Sequence, residues 1–127
     1  MGLDMFLRRK NKNYGMKTAN WEEVMYWCKA NQIRKWFVDN LDDEVQNLRH
    51  IRVTKENLIS LVEVCKKVLE QPDLAPSLLP TSSGFFFGSS EYDEWYFEDL
   101  KMTVEEIEKV ISETDWKTQD IYYLEWY

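Results

Sequence analysis

Apolar residues follow two different periods in the first half of this chain. The segment Leu3–Arg8 alternates apolar and polar residues, and this period of two predicts a strand. From Trp21 to Leu41 apolar residues recur every three or four positions, which predicts a long amphipathic helix with Asn20 available as its N-cap. The short segment His50–Val53 is expected to be a strand or an extended connection.

The pattern predicts a second helix and a long loop in the middle of the chain. A continuous apolar stripe follows Thr54, which is suited to the N-cap position, and runs to Gln71. The segment Pro72–Ser90 contains all three prolines and two of the four glycines. This composition predicts a loop, with a short turn around Leu74–Leu79.

Helix-start signals and a terminal strand are predicted in the last third. Ser90–Asp93 has the form of a capping box and predicts the start of a third helix. A second box, Thr103–Glu106, predicts either a bend in that helix or the start of a fourth. Asp120–Trp126 is rich in β-favouring residues and predicts a strand. One face of this strand is expected to carry Ile121, Tyr123 and Glu125.

The two terminal strands predict the fold class. No hairpin partner is predicted next to either of them, and an isolated strand leaves its backbone groups unpaired. We therefore expect both strands to pair in one small antiparallel sheet covered by three to four helices. A length of 127 residues fits a single α+β domain spanning 1–127.

Composition and charge restrict the class of partner. Hydrophobic residues make up 44% and charged residues 31%, as in globular domains, and the 15% of aromatic residues predicts a core rich in rings. A formal net charge of −7 argues against binding of duplex nucleic acid, because the field of the protein repels a polyanion. An acidic surface favours basic partners. The alternative interpretation is that the charge serves only to keep the protein soluble.

Cysteines, histidine and hydropathy predict the compartment. Cys28 and Cys65 fall in predicted helices and are expected to be small buried residues in a reducing cytosol. His50 is the only histidine, which disfavours a Cys/His zinc site. No signal-peptide pattern opens the chain, and no apolar run approaches the ~18 residues of a membrane span. We expect a cytoplasmic protein with no membrane segment and no cofactor.

Five short blocks carry a resemblance to a known family. They are Met1–Met5, Trp27–Ile33, Trp36–Val38, Gly84–Ser89 and Tyr92–Tyr96. With these blocks the chain resembles a family of small proteins of bacteriophages and prophages. The resemblance implies a phage or mobile-element origin and expression in the cytoplasm of a bacterial host, and it carries over no catalytic residue.

The loop Gly84–Ser90 and the start of the third helix form the first candidate site. Three adjacent rings, Phe85–Phe87, cannot all point one way, so at least one is expected to face solvent or a partner. Aromatic anchors beside acids are typical of protein interfaces. The candidate binding residues are Phe86, Ser89, Ser90, Glu91, Tyr92, Asp93, Glu94 and Trp95. Alternatively, the loop cradles an anion at the helix start, or inserts Phe85 or Phe87 into the core as a structural element.

The carboxylates of this segment have two interpretations. The carboxylate group that could supply metal ligands or a general acid and base is Glu91, Asp93, Glu94, Glu98 and Asp99. A small metal-dependent phosphoester hydrolase would use Glu91, Asp93, Glu94 and Glu98, with Mg²⁺ as the suitable ion. Acids in the first turn of a helix also complement its dipole without any further role. Several carboxylates near a phosphate are unfavourable, so the site suits a basic protein groove better than a phosphorylated ligand.

Two further groups of polar residues are candidates. An alternative surface on the exposed side of the first helix, able to clamp a base or a peptide or simply to be solvated, is Gln32, Arg34, Lys35 and Trp36. The one concentrated positive patch, able to contact a phosphate-bearing ligand or an acidic patch, or to be a charged strand end, is Arg8, Arg9, Lys10 and Lys12.

These observations favour one functional hypothesis over two alternatives. The preferred hypothesis is a non-enzymatic phage or prophage protein that binds, and thereby inhibits, a bacterial host or defence protein. The first alternative is sequestration of a nucleotide-derived signal. The second alternative is the metal-dependent hydrolase. The binding hypothesis is preferred over it because the sequence contains no evident set of nucleophile, base and orienting residue.

Overall fold

Four strands form one antiparallel sheet, in the order β2-β1-β4-β3, in the computed structural model, which describes residues 2–84 and 87–127. The strands are β1 (Asp4–Asn11), β2 (Glu22–Cys28), β3 (Ile51–Val53) and β4 (Gln119–Trp126). The helices are α1 (Asn31–Asn40), α2 (Lys55–Glu70), α3 (Ala75–Leu78) and α4 (Glu94–Glu113). A short 3-10 turn, Pro72–Leu74, leads into α3.

The two ends of the chain lie side by side in the centre of the sheet. β1 and β4 pair antiparallel over their full length, from Asp4 opposite Trp126 to Asn11 opposite Gln119. The predicted pairing of the terminal strands in a single α+β domain is therefore confirmed. The predicted alternation holds as well, because the residues of the core-facing side are buried: Leu3, Met5, Leu7, Ile121, Tyr123 and Glu125.

The predicted helix over Trp21–Leu41 is wrong in its first half. Residues 22–28 form β2, which pairs with β1 as its hairpin partner, and α1 begins at Asn31 after Ala30 instead of after Asn20. Met25 and Trp27 point to the core while their neighbours face out, so a period of two was present beneath the helical spacing. The run of β-branched and aromatic residues, together with a ready antiparallel partner, favours the strand.

This correction changes the position of one cysteine. Cys28 is exposed at the end of β2, contrary to its predicted burial in a helix, whereas Cys65 is buried within α2 as expected. Lys29 follows with a φ of 57°, which turns the chain out of the strand and into α1.

The helix starts are determined by local hydrogen bonds. Thr54 caps α2 as predicted, in a reciprocal box with Asn57. For α4 the cap is Asp93, whose carboxylate accepts a hydrogen bond from the Tyr96 N–H (3.1 Å), so the predicted box beginning at Ser90 is wrong by three residues. An aspartate at this position satisfies an otherwise unpaired donor and complements the helix dipole.

The second predicted capping box does not cap a helix. α4 runs without interruption from Glu94 to Glu113, and Thr103 is buried in its middle. The Thr103 hydroxyl donates to the Asp99 carbonyl oxygen (2.6 Å) and accepts from the Trp27 indole N–H (2.8 Å). The hydroxyl therefore joins α4 to β2 inside the core.

Aromatic rings occupy the centre of the core, on the sheet face that packs against the helices. Phe37 of α1 stacks on Tyr123 of β4, with 4.2 Å between ring centroids, and meets the edge of Trp27 at 5.8 Å. The opposite face of the sheet lies outside this core cluster. We call it the outer sheet face and define it by Phe6, Arg8, Tyr26, Arg52 and Tyr122.

Candidate functional site

A cleft of about 260 Å³ lies where the end of β2 and the start of α1 meet the loop before α4. Three carboxylates, Glu91, Asp93 and Asp99, line it together with Lys29 and Trp95. We call it the acidic cleft and define it by these five residues. The described lining thus carries three acidic groups and one basic group, a local excess of negative charge in a confined space.

The structure brings together four of the predicted binding residues and separates others. Ser89, Glu91, Asp93 and Trp95 line the acidic cleft. Ser90 and Glu94 are exposed and do not belong to the lining of the acidic cleft. Tyr92 instead supports the fold: its ring packs on Tyr96 at 5.1 Å, and its hydroxyl accepts from the Thr81 N–H at 3.2 Å. Phe85 and Phe86 lie outside the described residues, and Phe87 is buried in the core.

One buried side chain fixes the loop that carries these residues. The Asn31 amide donates to the carbonyl oxygens of Phe87 (3.0 Å) and Ser89 (2.9 Å). Its own oxygen accepts from the Ser82 N–H at 3.0 Å. Asn31 therefore connects the start of α1 to both sides of the loop, and a fully bonded buried amide of this kind is rigid.

Backbone geometry brings the loop close to the end of β2. Gly88 adopts a φ of 86°, and a Cβ placed on it would lie 3.1 Å from the Lys29 Cβ and 3.2 Å from the Lys29 carbonyl oxygen. Only glycine combines that φ with so close an approach at low cost. Gly88 and Lys29, both with positive φ, thus form the floor of one end of the acidic cleft.

Trp95 and Tyr96 have opposite environments although they are adjacent. The Tyr96 hydroxyl donates to the Leu79 carbonyl oxygen at 2.6 Å and anchors α4 to the segment before the loop. Trp95 in the first turn of α4 leaves 71% of its surface exposed. A large ring this exposed, held on the first turn of a firmly anchored helix, is well placed to contact a partner.

Asp99 is the most perturbed carboxyl group of the cleft. Burial raises its pKa to about 6, a hydrogen bond with the Gln32 side chain opposes the rise, and the charge of Asp93 adds to it. Desolvation dominates because no cation compensates the carboxylate at this depth. A positive charge that approaches the ionised Asp99 carboxylate would therefore stabilise it.

The same geometry bears on the other hypotheses for this segment. The start of α4 is occupied by the Asp93 carboxylate, which takes the place that an anion would need at the helix N-terminus. Glu98 points outward and pairs with Lys101 at 3.2 Å. Within the described part of the chain, no group of three or more His, Cys, Asp or Glu side chains is arranged to hold a metal ion.

The alternative surface on α1 is not the exposed face that was predicted. Gln32 and Trp36 are buried, Arg34 forms an ion pair with the buried Glu125, and Lys35 pairs with Asp39 at 2.8 Å. Because α1 begins ten residues later than predicted, its inward face was assigned to the wrong residues. Gln32 contributes instead to the lining of the acidic cleft.

Two residues of the site were missed by sequence reasoning. Lys29 and Asn31 reach the cleft from the end of β2 and the start of α1. Asp99, in the second turn of α4, was among the predicted carboxylates, because it lies in a run of acids and rings on the predicted helix. Lys29 and Asn31 carried no such signal, because their role follows from tertiary contacts with a loop more than fifty residues away.

No protein-family model, curated protein or solved structure matches this chain. The resemblance to small phage proteins therefore stays a prediction from the sequence. Among the helices of residues 2–84 and 87–127, none is both long enough and apolar enough to cross a membrane.

Proposed function

We propose that this chain is a non-enzymatic binding protein whose acidic cleft receives a basic side chain of a partner protein. The observation that carries the proposal is the half-buried, uncompensated Asp99 carboxylate beside the exposed ring of Trp95. Binding of a cation would compensate the desolvated carboxylate, and burial of Trp95 would supply apolar contact. The two effects favour the same kind of partner.

Electrostatics support a cation as the group that is bound. Two unit charges 4 Å apart near a protein surface interact by about 4 kcal/mol, part of which offsets desolvation on binding. Asp93 and Glu91 add to the attraction, while Lys29 at the cleft wall reduces it. A cation over the Trp95 ring adds about 0.5–1 kcal/mol. Arginine fits best, because its planar guanidinium stacks on indole and bonds a carboxylate with two N–H groups.

The sequence resemblance supports a partner in the bacterial cell. A small acidic phage or prophage protein with an arginine-accepting cleft is suited to occupy a basic groove of a host or defence protein. The nucleotide and hydrolase alternatives are weaker at this site, since its three carboxylates would oppose a phosphate. A base could stack on the exposed Trp95 ring, but its phosphate would still meet these carboxylates.

A charge-matched pair of variants tests the proposal. Asp99→Asn and Glu105→Gln each remove one negative charge, but Glu105 is exposed in the fourth turn of α4 and is absent from the cleft lining. A partner is first captured from bacterial lysate by the wild-type chain, and its affinity for each variant is then measured by calorimetry. We expect Asp99→Asn and Trp95→Ala to weaken binding about tenfold or more, and Glu105→Gln to change it less than twofold.

Two outcomes would contradict the proposal. One is a captured partner that binds Asp99→Asn and Trp95→Ala as tightly as the wild-type chain, with both variants folded by circular dichroism. The other is equal weakening by Asp99→Asn and Glu105→Gln, since that result would indicate attraction by net charge and not by the cleft.

A further inference from the structure

The outer sheet face places aromatic and cationic side chains in two adjacent rows across the strands. In one row Arg8 of β1, Tyr122 of β4 and Arg52 of β3 lie opposite each other. In the next row Tyr26 of β2 lies opposite Phe6 of β1. Rows two residues apart on a strand are separated by roughly 7 Å. Two arginines thus flank Tyr122 along one row, beside a pair of rings in the next row, and the ring of Trp21 packs edge-on against Tyr122 at 5.3 Å.

Among the four residues of the predicted basic patch, Arg8 alone has its charge available on this face. Arg9 points to the core and pairs with Glu22 at 2.9 Å. The Lys10 ammonium donates to the Tyr14 carbonyl oxygen at 2.8 Å, and Lys12 lies 3.7 Å from Asp120. Arg8 makes neither an ion pair nor a hydrogen bond with any residue the structure describes.

Arg8 lies opposite Glu23 of β2 in the sheet register but forms no ion pair with it within 4.0 Å. Its guanidinium carbon lies 5.5 Å from the centre of the Phe6 ring. Burial lowers the pKa of His50, and the charge of Arg8 lowers it further, so the two groups are near neighbours. The buried Nε2 of His50 also has no hydrogen-bond partner among the described residues. The His50 ring is covered by the stacked ring of Trp21 at 4.5 Å, so the Arg8 guanidinium is the group that can reach an anion from solvent.

The rings of the adjacent row are held in place yet remain accessible. Tyr26 is 43% exposed, and its ring centroid lies 5.3 Å from that of Phe6. The Tyr26 hydroxyl donates to Asp4 at 2.5 Å, which fixes the ring on the sheet. Rings held by both packing and a hydrogen bond lose little conformational entropy when a flat ligand stacks on them.

We propose that the outer sheet face binds a short nucleotide, with a base stacked on the exposed ring of Tyr26 beside Phe6 and a phosphate held by Arg8 and Arg52. The complementarity is of charge and shape together: the row spacing is close to the separation between a base and its own phosphate. Arg52 contributes through an exposed guanidinium that shares the Asp120 carboxylate, at 3.5 Å, with the Lys12 ammonium at 3.7 Å, so one carboxylate serves two cations. This surface and the acidic cleft use different residues.

The rest of the chain favours a ligand of one or two nucleotides over a long strand. The net charge is −7, Glu23 lies opposite Arg8 in the register, and the Asp120 carboxylate contacts Arg52. A long polyanion would meet this repulsion along its length, whereas a short ligand meets mainly the local positive charge. An acidic peptide would use the guanidinium groups and leave the rings without a stacking partner.

Calorimetry with a defined probe tests the proposal. The probe is the 5′-phosphorylated dinucleotide pApA, compared with adenosine and with inorganic phosphate. We expect pApA to bind the wild-type chain more tightly than either part alone. Arg8→Gln should weaken binding about tenfold or more, because a charge-assisted contact is removed. Lys66→Gln, which removes an exposed cation paired with Glu108 on the helical side, should leave binding unchanged.

Every outcome decides for or against the proposal. Tyr26→Ser alters an exposed side chain and replaces Arg8→Gln as the deciding variant if the latter does not fold. Absence of pApA binding at millimolar concentration would overturn the proposal, as would wild-type affinity in both variants. Binding of hexaglutamate as tight as that of pApA, with the same dependence on Arg8, would assign the face to an acidic protein segment. Asp99→Asn should retain pApA binding, which separates this test from that of the acidic cleft.

Discussion

Replacing Arg34 with methionine should remove the cation that neutralises a completely buried carboxylate. Glu125 in β4 has no exposed surface, and the Arg34 guanidinium contacts both its oxygens at 3.0 Å. The Tyr123 hydroxyl donates to the same carboxylate at 2.8 Å. The Arg34 guanidinium also lies over two rings, Phe87 at 4.8 Å and Tyr127 at 5.4 Å.

The magnitude follows from the fate of the carboxylate. Removing one partner of a buried ion pair costs about 3–5 kcal/mol, because the other charge stays buried without compensation. Loss of the contacts with two rings adds about 1 kcal/mol. A domain of this size is stable by about 5–15 kcal/mol, so Arg34→Met should lose a large fraction of the free energy of unfolding. Methionine retains most of the apolar volume, which limits the contribution of a cavity.

Urea unfolding followed by tryptophan fluorescence measures the effect. Lys35→Met is the matched control: it removes the neighbouring cation, whose partner Asp39 is exposed, and should cost less than about 0.5 kcal/mol. The double variant Arg34→Met/Glu125→Gln should be more stable than Arg34→Met alone, because no buried charge remains. A cost below about 1 kcal/mol for Arg34→Met, or a double variant less stable than the single one, would refute the reasoning.

Three further predictions concern the cleft and the sheet. The raised pKa of Asp99 means that between about pH 4 and 6 the folded chain binds more protons than the unfolded chain. The free energy of unfolding of the wild-type chain therefore falls as pH rises from about 4 to 6. Asp99→Asn should therefore be about 1 kcal/mol more stable than the wild-type chain at pH 7, a value reduced for solvent screening. The same pH dependence of the melting temperature in the variant and the wild-type chain would contradict this. Gly88→Ala should cost about 1–3 kcal/mol in urea unfolding, whereas Gly15→Ala, with only an ordinary contact at 3.7 Å, should be nearly neutral; equal costs would contradict the strain argument. Deleting residues 120–127 removes the strand that pairs with both β1 and β3, and a far-ultraviolet circular dichroism melt that stays cooperative would contradict the expected unfolding.

The elements that sequence predicted correctly are those specified by short-range signals. The alternation at Leu3, Met5 and Leu7 has a single interpretation, and Thr54 with the stripe after it determines α2. The segment before α1 failed because its residues satisfy both periods at once. Its assignment as β2 depends on pairing with β1, a tertiary interaction that no local window contains.

The candidate site divides in the same way. The loop and the start of α4 were predicted because glycines, serines, acids and rings are concentrated there in sequence. The partners that complete the cleft were not, because Lys29 and Asn31 belong to the hairpin and helix that sequence misassigned. The outer sheet face was missed for a related reason: Arg8 and Tyr26 become neighbours of Tyr122 and Arg52 only through the strand order.

Several locally unfavourable features converge on the acidic cleft. Lys29 has a positive φ, Gly88 tolerates no side chain, Asp99 is desolvated without a cation, and Trp95 exposes most of an indole. Each costs free energy that a different residue or a different packing would avoid, and none is required by the sheet. Consistent folds depart from local rules mainly where a surface has a task. Four such departures converge on one cleft, which the fully bonded amide of Asn31 holds in place, and this convergence supports the proposal that the cleft binds a partner.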